Sequence, residues 1–138
     1  MNNLLTAIRS KATGSTLSTY VGGRIYLDEI PENVPVVFPY VTFFIVSWNY
    51  EKTFSEIYMR TLIQFSLFSA STGATEITTM YNYLHSLYDE CSLTVTGSRF
   101  IWMREQFPTT DINDVAVSDG SVRAKHYAVD FEILTSLN

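Results

Sequence analysis

The chain has 138 residues, of which 46% are hydrophobic, 14% aromatic and only 17% charged, with a formal net charge of −5. This length suits one domain spanning residues 1–138, and the high apolar content excludes an intrinsically disordered chain. The acidic balance would repel a phosphate backbone, so we expect no sequence-specific binding of nucleic acid. The many aromatic residues and few charges favour assembly with other protein surfaces.

The first 34 residues predict a helix, a short strand and an acidic loop. Apolar residues recur at helical spacing between residues 2 and 12, at Leu4, Leu5, Ile8 and Ala12. The opening stretch lacks the long apolar region and cleavage site of an export signal, so we expect none. The stretch RIYL at 24–27 then predicts a strand, and the proline-bounded segment 28–34 predicts an exposed loop.

An apolar run, VPVVFPYVTFFIV, occupies residues 34–46. It is too short for a membrane-spanning helix, which needs about 20 consecutive apolar residues. Pro35 and Pro39 also oppose a helix, because proline lacks a backbone N–H and pushes the preceding residue towards an extended conformation. We therefore predict a strand from Tyr40 to Trp48 with both faces covered, and no membrane association.

The middle of the chain predicts a long strand followed by the clearest helix. In EIYMRTLIQFSLFS (56–69), apolar residues alternate along one face. Residues 71–91 then follow a helical period, with Ser71 or Thr72 as the N-cap and Glu76 in the first turn. The apolar stripe of this helix consists of Ile77, Met80, Tyr81, Leu84, Leu87 and Tyr88.

The last third predicts two strands, at residues 99–107 and 122–134, joined by a long acidic loop at 108–120. With one exception the strand connections are of hairpin type. The predicted fold class is therefore α+β, a mainly antiparallel β-sheet with two α-helices packed on one face.

The sequence offers little for catalysis or for metal binding. His85 and His126 are the two imidazoles, and neither lies in a motif with a nucleophile and an orienting acid, so we expect both to be structural. Cys91 is the one cysteine, which excludes an internal disulfide, favours the cytosol and leaves no closely spaced metal ligands. No glycine-rich nucleotide motif is present. We expect no enzyme, no cofactor and no metal.

Two charged stretches allow more than one interpretation. Asp89 and Glu90 end the second helix, where carboxylates oppose the helix dipole. They could simply be solvated, pair with a cation such as Arg99 or one from a neighbouring subunit, or, least favoured, act as catalytic carboxylates. The cationic pair Arg123 and Lys125 favours a solvated strand face over a nucleic-acid site.

The order and spacing of these elements resemble a known family. The stretches that carry the likeness are GGRIYLDEIPENVPVVFPYVTFFIV, LIQFSLFSASTGATEITTMYNYLHSLYD and HYAVDFEILT. The likeness as a whole extends over roughly residues 1–135, with the elements in the same order and at the same spacings. The chain resembles the tail-completion, or tail-terminator (head-tail joining), proteins of long-tailed bacteriophages and prophages. No single motif within these stretches is diagnostic of that family.

The resemblance implies a structural role in a virion. Such proteins form a ring, typically hexameric, at the head-proximal end of the tail, where the ring stops growth of the tail tube and offers a docking face to the head connector. Assembly in the host cytoplasm, contacts with tail tube protein and with a connector or stopper protein, and passage of DNA through the ring follow as expectations. Alternatives are another neck protein, such as a stopper or head-closure subunit, or a small ligand-binding domain or weak hydrolase.

The two acidic loops are the candidate interaction sites. Both segments are rich in charged and polar residues, so we expect their carboxylates to be exposed. The segments also hold too few apolar residues to pack against the core. They should become ordered when neighbouring subunits or the connector bind. The residues concerned are Asp28, Glu29 and Glu32 in the first loop and Asp111, Asp114 and Asp119 in the second.

Overall fold

Three helices and six strands form within the residues that the computed structural model describes, which are 2–71, 73–106, 113–117 and 122–137. The helices are α1 (Asn2–Ala12), α2 (Thr16–Tyr20) and α3 (Thr75–Tyr88). The strands are β1 (Ile25–Leu27), β2 (Tyr40–Lys52), β3 (Ile57–Ser69), β4 (Arg99–Glu105), β5 (Asn113–Val117) and β6 (Val122–Ser136).

The strands make one sheet in the order β1-β2-β3-β6-β4, with β5 also paired to β6. Only β1 and β2 are parallel, and the other pairs are antiparallel. Because β4 pairs with residues 131–136 of β6 and β5 with residues 122–126, these two strands occupy successive parts of the same edge. The predicted α+β class with a mainly antiparallel sheet is confirmed.

All three helices share one core with a single face of the sheet. Leu4 and Ile8 of α1, Leu17 of α2 and Leu84 of α3 are at most 2% exposed, and they belong to one buried cluster. The alternate residues of the strands complete that cluster, since strand side chains point to opposite faces in turn. From the three central strands these are Val41, Phe43, Ile63, Phe65, Leu67, Val129, Phe131 and Ile133.

Tyr88 joins these layers at the centre of the core. Its side chain is 1% exposed, with the ring 4.9 Å from that of Phe65 and 6.1 Å from that of Phe131, measured between centroids. The hydroxyl donates a hydrogen bond of 2.7 Å to the backbone carbonyl of Ile8 in α1. Burial raises the pKa of Tyr88, so the phenol stays protonated as a donor.

Two short elements depart from the expected order. Helix α2 was not predicted, because its five residues are too few to show a helical period; Ser15 caps it by accepting a hydrogen bond from the backbone N–H of Ser18. The segment expected as one loop at 108–120 contains β5, paired with β6 from Asn113↔His126 to Val117↔Val122. The intervening sequence SDGS carries a hairpin signal that the loop prediction overlooked.

The start of α3 also differs from the prediction. The helix begins at Thr75 with Ala74 at the N-cap position and no side-chain cap, so Ser71 does not cap it, and Thr72 lies outside the described residues. Glu76 instead accepts a hydrogen bond of 2.6 Å from the hydroxyl of Ser69 at the end of β3. This bond ties the first turn of the helix to the sheet.

Strand β2 continues four residues past the predicted end at Trp48, and its second half is not covered on both faces. Val46, Trp48 and Tyr50 are 47%, 51% and 57% exposed. The buried cluster takes Val41 and Phe43 from this strand and nothing beyond them, so the second half extends past the core. The apolar composition predicted a strand correctly and its burial wrongly.

Leu84 is fully buried in the middle of α3, so replacing it with alanine should leave a cavity. We expect Leu84→Ala to lower the free energy of unfolding by about 2–5 kcal/mol. Chemical denaturation of Leu84→Ala beside Ser86→Ala, an exposed site on the same helix, tests this. Equal stability of the two variants would contradict the packing described.

Candidate interaction surface

The first acidic loop follows β1 on the surface. Asp28, Glu29 and Glu32 are all exposed, and Asp28 adopts a left-handed backbone conformation with φ of 65°. Its backbone N–H donates to the carbonyl of Phe43 at 2.9 Å, which fixes the start of the loop against β2. The carboxylates therefore project from a stretch whose base is held in place.

Arg24 holds the segment that connects this loop to β2. Its guanidinium donates to the carbonyls of Pro39 and Phe38 at 2.9 and 3.3 Å. Between the two anchors, Val36 and Val37 are 43% and 46% exposed. Residues 28–37 thus present apolar side chains as well as carboxylates, a combination suited to contact with another protein.

The second acidic group is not brought together with the first. Asp114 lies in β5, opposite Lys125 in the register with β6, rather than in a loop. Strands β1 and β5 are at opposite edges of the sheet, so Asp114 is separated from Asp28 by the width of the sheet. Asp111 and Asp119 lie outside the described residues.

A further exposed surface, which the sequence reasoning missed, is the end of the β2–β3 hairpin. We call residues 46–57 the distal hairpin. Besides the exposed side chains of β2 it carries Phe54, which is completely exposed in the turn. The turn is held by Thr53, whose backbone N–H donates to the carbonyl of Glu56 at 2.8 Å and whose hydroxyl accepts from the Glu56 N–H at 3.0 Å. A bonded turn presents these apolar residues in a fixed arrangement.

A signal for this surface was present in the sequence. After residue 46 the stretch SWNYEK alternates polar residues with Trp48 and Tyr50, which is typical of a strand with one face in water. The prediction of a strand covered on both faces treated residues 40–48 as uniform.

The sheet face opposite the helices carries an aromatic row. Tyr40, Phe68 and His126 are register partners on β2, β3 and β6, and their rings stack with centroid distances of 4.6 and 4.7 Å. Burial lowers the pKa of His126. The Nε2 atom of His126 is buried and has no hydrogen-bond partner among the described residues. His126 therefore acts as a neutral packing residue within the aromatic row.

An ionic row crosses the same face nearer the distal hairpin. Arg60 bonds Glu51 at 2.7 Å and Glu132 at 2.8 Å, which links β3 to both neighbouring strands. Arg104 lies over the ring of Trp102, 4.5 Å from its centroid. These groups are partly exposed, and such pairs contribute little to stability, so the row chiefly fixes side-chain positions.

His85 belongs to a polar cluster between α3 and β4. Its Nδ1 atom lies 2.7 Å from Oε1 of Glu105, whose side chain is fully buried, and its Nε2 atom lies 3.7 Å from Asp89. The hydroxyl of Tyr81 donates to the other oxygen of Glu105 at 2.7 Å. The pKa of Tyr81 is raised, chiefly by burial and secondly by this hydrogen bond. The cluster satisfies a buried carboxylate and joins helix to strand.

The carboxylates at the end of α3 also have specific partners. Asp89 accepts a hydrogen bond of 3.0 Å from the backbone N–H of Glu105, and Glu90 pairs with Arg104 at 2.8 Å. Pairing with a cation was one of the alternatives, but Arg99 is not that cation. Arg99 bonds Glu56 of the distal hairpin instead, at 3.2 Å.

Neither a metal centre nor a membrane helix is found in the part of the chain that the structure describes. No three or more His, Cys, Asp or Glu side chains there are arranged to hold a metal ion. None of the described helices is long and apolar enough to span a bilayer. A groove of about 410 Å³ between α1 and residues 92–96 is lined by Asn3, Thr6, Ala7, Ser10, Lys11, Ser92, Leu93, Thr94 and Thr96.

Removing the imidazole of His85 should destabilise the fold, because buried Glu105 would lose one of its two side-chain partners. We expect His85→Ala to cost about 1–3 kcal/mol of unfolding free energy. The exposed ion pair of Arg99 with Glu56 provides a control, since Arg99→Ala should lower the free energy of unfolding by at most about 1 kcal/mol. Equal costs in chemical denaturation would show that the cluster is not a significant support.

His126 should make stability depend on pH. Its pKa is lowered in the folded state from 6.5, so the unfolded chain binds the proton more readily. The contribution of this residue is therefore complete above pH 6.5 and is lost as the pH falls below it. Between about pH 7.5 and about pH 5.5, the melting temperature should fall more in the wild type than in His126→Phe. Parallel melting curves would contradict the assignment.

Comparisons with known proteins bear on the fold. No protein-family profile and no curated protein sequence matches the chain. Among solved structures, a chain of the virion of a native gene transfer agent (GTA) particle superposes with a TM-score of 0.72 at 12% identity, over 95% of this chain and 92% of that one. Another solved chain has a TM-score of 0.56 at 10% identity, over 96% and 94% of the two chains. The chain therefore has the same fold, over nearly its full length, as a component of a virus-like particle.

Proposed function

We propose that this protein is a structural component of a phage-like virion, a tail terminator that forms a ring at the head-proximal end of the tail. About six copies close the ring, which ends growth of the tail tube and provides the docking face for the head connector. The protein assembles in the host cytoplasm and becomes part of the particle. It requires no cofactor and performs no catalysis.

The observation that carries this proposal is the shared fold with a chain of the GTA virion, which extends over 95% of the present chain. The likeness also covers 92% of the GTA chain. The resemblance of the sequence to tail-terminator proteins narrows the role from virion component to ring subunit. The second step rests on that resemblance alone.

The distribution of exposed groups is consistent with a ring. A closed ring needs two different complementary patches on each subunit, since every copy meets one neighbour on either side. The distal hairpin and the first acidic loop lie along the β1–β2 edge, whereas β5 lies at the opposite edge of the sheet. The exposed apolar groups of the distal hairpin, Val46, Trp48, Tyr50 and Phe54, are unusual for a subunit that remains alone in water.

The closest competing role is that of a stopper or head-closure subunit, which would also be a virion component. The two roles differ in what the protein would bind: a terminator would bind the end of the tail tube, and a stopper would bind the head connector. A ligand-binding domain or hydrolase gains no support from His85 or His126. Each imidazole is accounted for by contacts inside the fold.

Electron microscopy of the purified protein, alone and mixed with polymerising tail tube protein, tests the proposal. Rings that bind one end of each tube and limit tube length would support a terminator. Tubes of unchanged length, combined with binding of the protein to connector complexes, would support the stopper role instead.

Ring assembly should also depend on salt, because each subunit carries a net charge of −5. On the order of thirty negative charges in one ring repel one another, and salt screens this repulsion. We expect ring formation to increase from about 0.01 M to about 0.15 M salt, with negligible affinity for duplex DNA throughout. Analytical ultracentrifugation with and without DNA measures both. Rings that dissociate as salt rises, or that bind DNA tightly, would show that specific cationic contacts dominate.

A further inference from the structure

One side of β2 has no partner along its second half. Strand β1 pairs with β2 only through Val41, Thr42 and Phe43. From residue 44 to residue 52, no strand in the described part of the chain pairs with that side, although β3 pairs with the other side throughout. The sheet therefore has an open edge that is nine residues long.

The hydrogen-bonding pattern shows which backbone groups face this open edge. The N–H of Val41 donates to Arg24 and the carbonyl of Phe43 accepts from Asp28, so the odd-numbered residues face the β1 side. A bulge between Ile45 and Ser47 shifts this alternation by one residue. Beyond the bulge, the unpaired backbone groups are those of Trp48, Tyr50 and Lys52.

Proteins that stay monomeric protect such edges with lysine, proline, short strands or a covering loop. In β2, Lys52 stands only at the last position, and the preceding residues include exposed Trp48 and Tyr50. An apolar open edge of this kind is a site to which another strand adds.

Strand β5 supplies the complementary edge. It pairs with β6 on one side only, and within the described residues no strand pairs with its other side. Residues 122–124 of β6 have β5 as their partner but lie beyond the last pair between β3 and β6, Ser69↔Lys125. Strand β5 and the start of β6 thus form an arm that extends past the central sheet.

The neighbouring edge strand β4 is less suitable. The carbonyl of Met103 accepts a hydrogen bond of 2.8 Å from the N–H of Glu90, and the N–H of Glu105 donates to Asp89 at 3.0 Å. The chain after α3 therefore already occupies the outer side of β4 along half its length. No comparable cover is seen on β5 within the described residues.

The directions of the two edges are compatible, and β5 is short enough to fit along the open edge of β2. Strand β5 runs parallel to β3 and opposite to β2, so a second copy placed edge to edge in the same orientation continues the antiparallel alternation. Five residues of β5 span about 17 Å, and residues 46–52 of β2 span about 24 Å. The two edges lie on opposite sides of the sheet, so this pairing is heterologous, as a ring requires.

We infer that β5 of one copy adds as an antiparallel strand to the second half of β2 in the next copy. This inference rests on the proposed ring and identifies its subunit contact as backbone hydrogen bonding between β2 and β5. The exposed side chains of Trp48 and Tyr50 then pack against the arm of the neighbour.

A proline tests the backbone contact. Tyr50→Pro removes an outward-facing N–H and leaves the pairs of β2 with β3 intact, because proline is tolerated on an open strand edge. Tyr50→Ala is the matched control, since it removes the same ring and keeps the N–H. Tyr50→Pro should need about tenfold more protein than Tyr50→Ala for half-maximal ring assembly, with similar monomer melting temperatures.

Engineered disulfides provide a second test that does not depend on proline. In a Cys91→Ser background, cysteine at Ser47, Asn49 or Glu51 is combined with Val115→Cys, and the rings are oxidised. At least one pair should give a ladder of linked subunits on a non-reducing gel. The control combines Asn49→Cys with Ser10→Cys, which places the second thiol at an exposed position of α1. This control should give no linked subunits.

The outcomes of these experiments distinguish a failure of the β2–β5 contact from a failure of the proposed ring. Rings that form equally in both Tyr50 variants and link through none of the three pairs would overturn the inference and leave the terminator role intact. Linked open chains without rings would support the strand contact and contradict the ring. Dimers from Asn49→Cys alone would indicate β2–β2 pairing, and a defect of Tyr50→Pro seen only in tube binding would assign the edge to the tail tube. Either of these last two results would overturn the inference.

Discussion

The hydrogen bond from the Tyr88 hydroxyl to the carbonyl of Ile8 joins two helices that are eighty residues apart in sequence. Its donor enters the core on a ring packed against Phe65 and Phe131, so one side chain positions α1, α3 and the central strands relative to one another. The buried Tyr88 hydroxyl would be left without this partner if the bond were lost, and a buried polar group without a hydrogen bond is costly.

The long elements were predictable because their side chains meet a periodic environment. Strand β3 and helix α3 each present one apolar face to the shared core, and the spacing of Ile63, Phe65, Ile77 and Leu84 reflects that directly. Strand β6 and helix α1 could be predicted from the sequence for the same reason. The α+β class followed from the order of these elements.

What was missed depends on neighbours more than on local pattern. Helix α2 and strand β5 have five residues each, too few to establish a period, and β5 exists because β6 continues beyond its contacts with β3. The burial of β2 could not be read from its composition, since Ile45 and Trp48 are both large and apolar, but the buried core takes residues only from the first half of the strand. The hydrogen bonds of Glu105 are set by tertiary contacts, and the sequence held no sign that His85 would meet it.

The bulge at Val46 has a consequence for how the gene can change. Before it, Val41, Phe43 and Ile45 face the core; after it, Trp48 and Tyr50 occupy that same face, opposite Thr61 and Met59. If the same residues paired without a bulge, strict alternation would turn Ser47, Asn49 and Glu51 towards the helices and both aromatic rings to the opposite side, and it would separate Glu51 from Arg60. Deletion of the Val46 codon avoids this outcome, because Ile45↔Ile63 and Ser47↔Leu62 are already the flanking pairs, so both faces of the distal hairpin keep their residues. Replacement of Val46 by another residue alters only one exposed side chain.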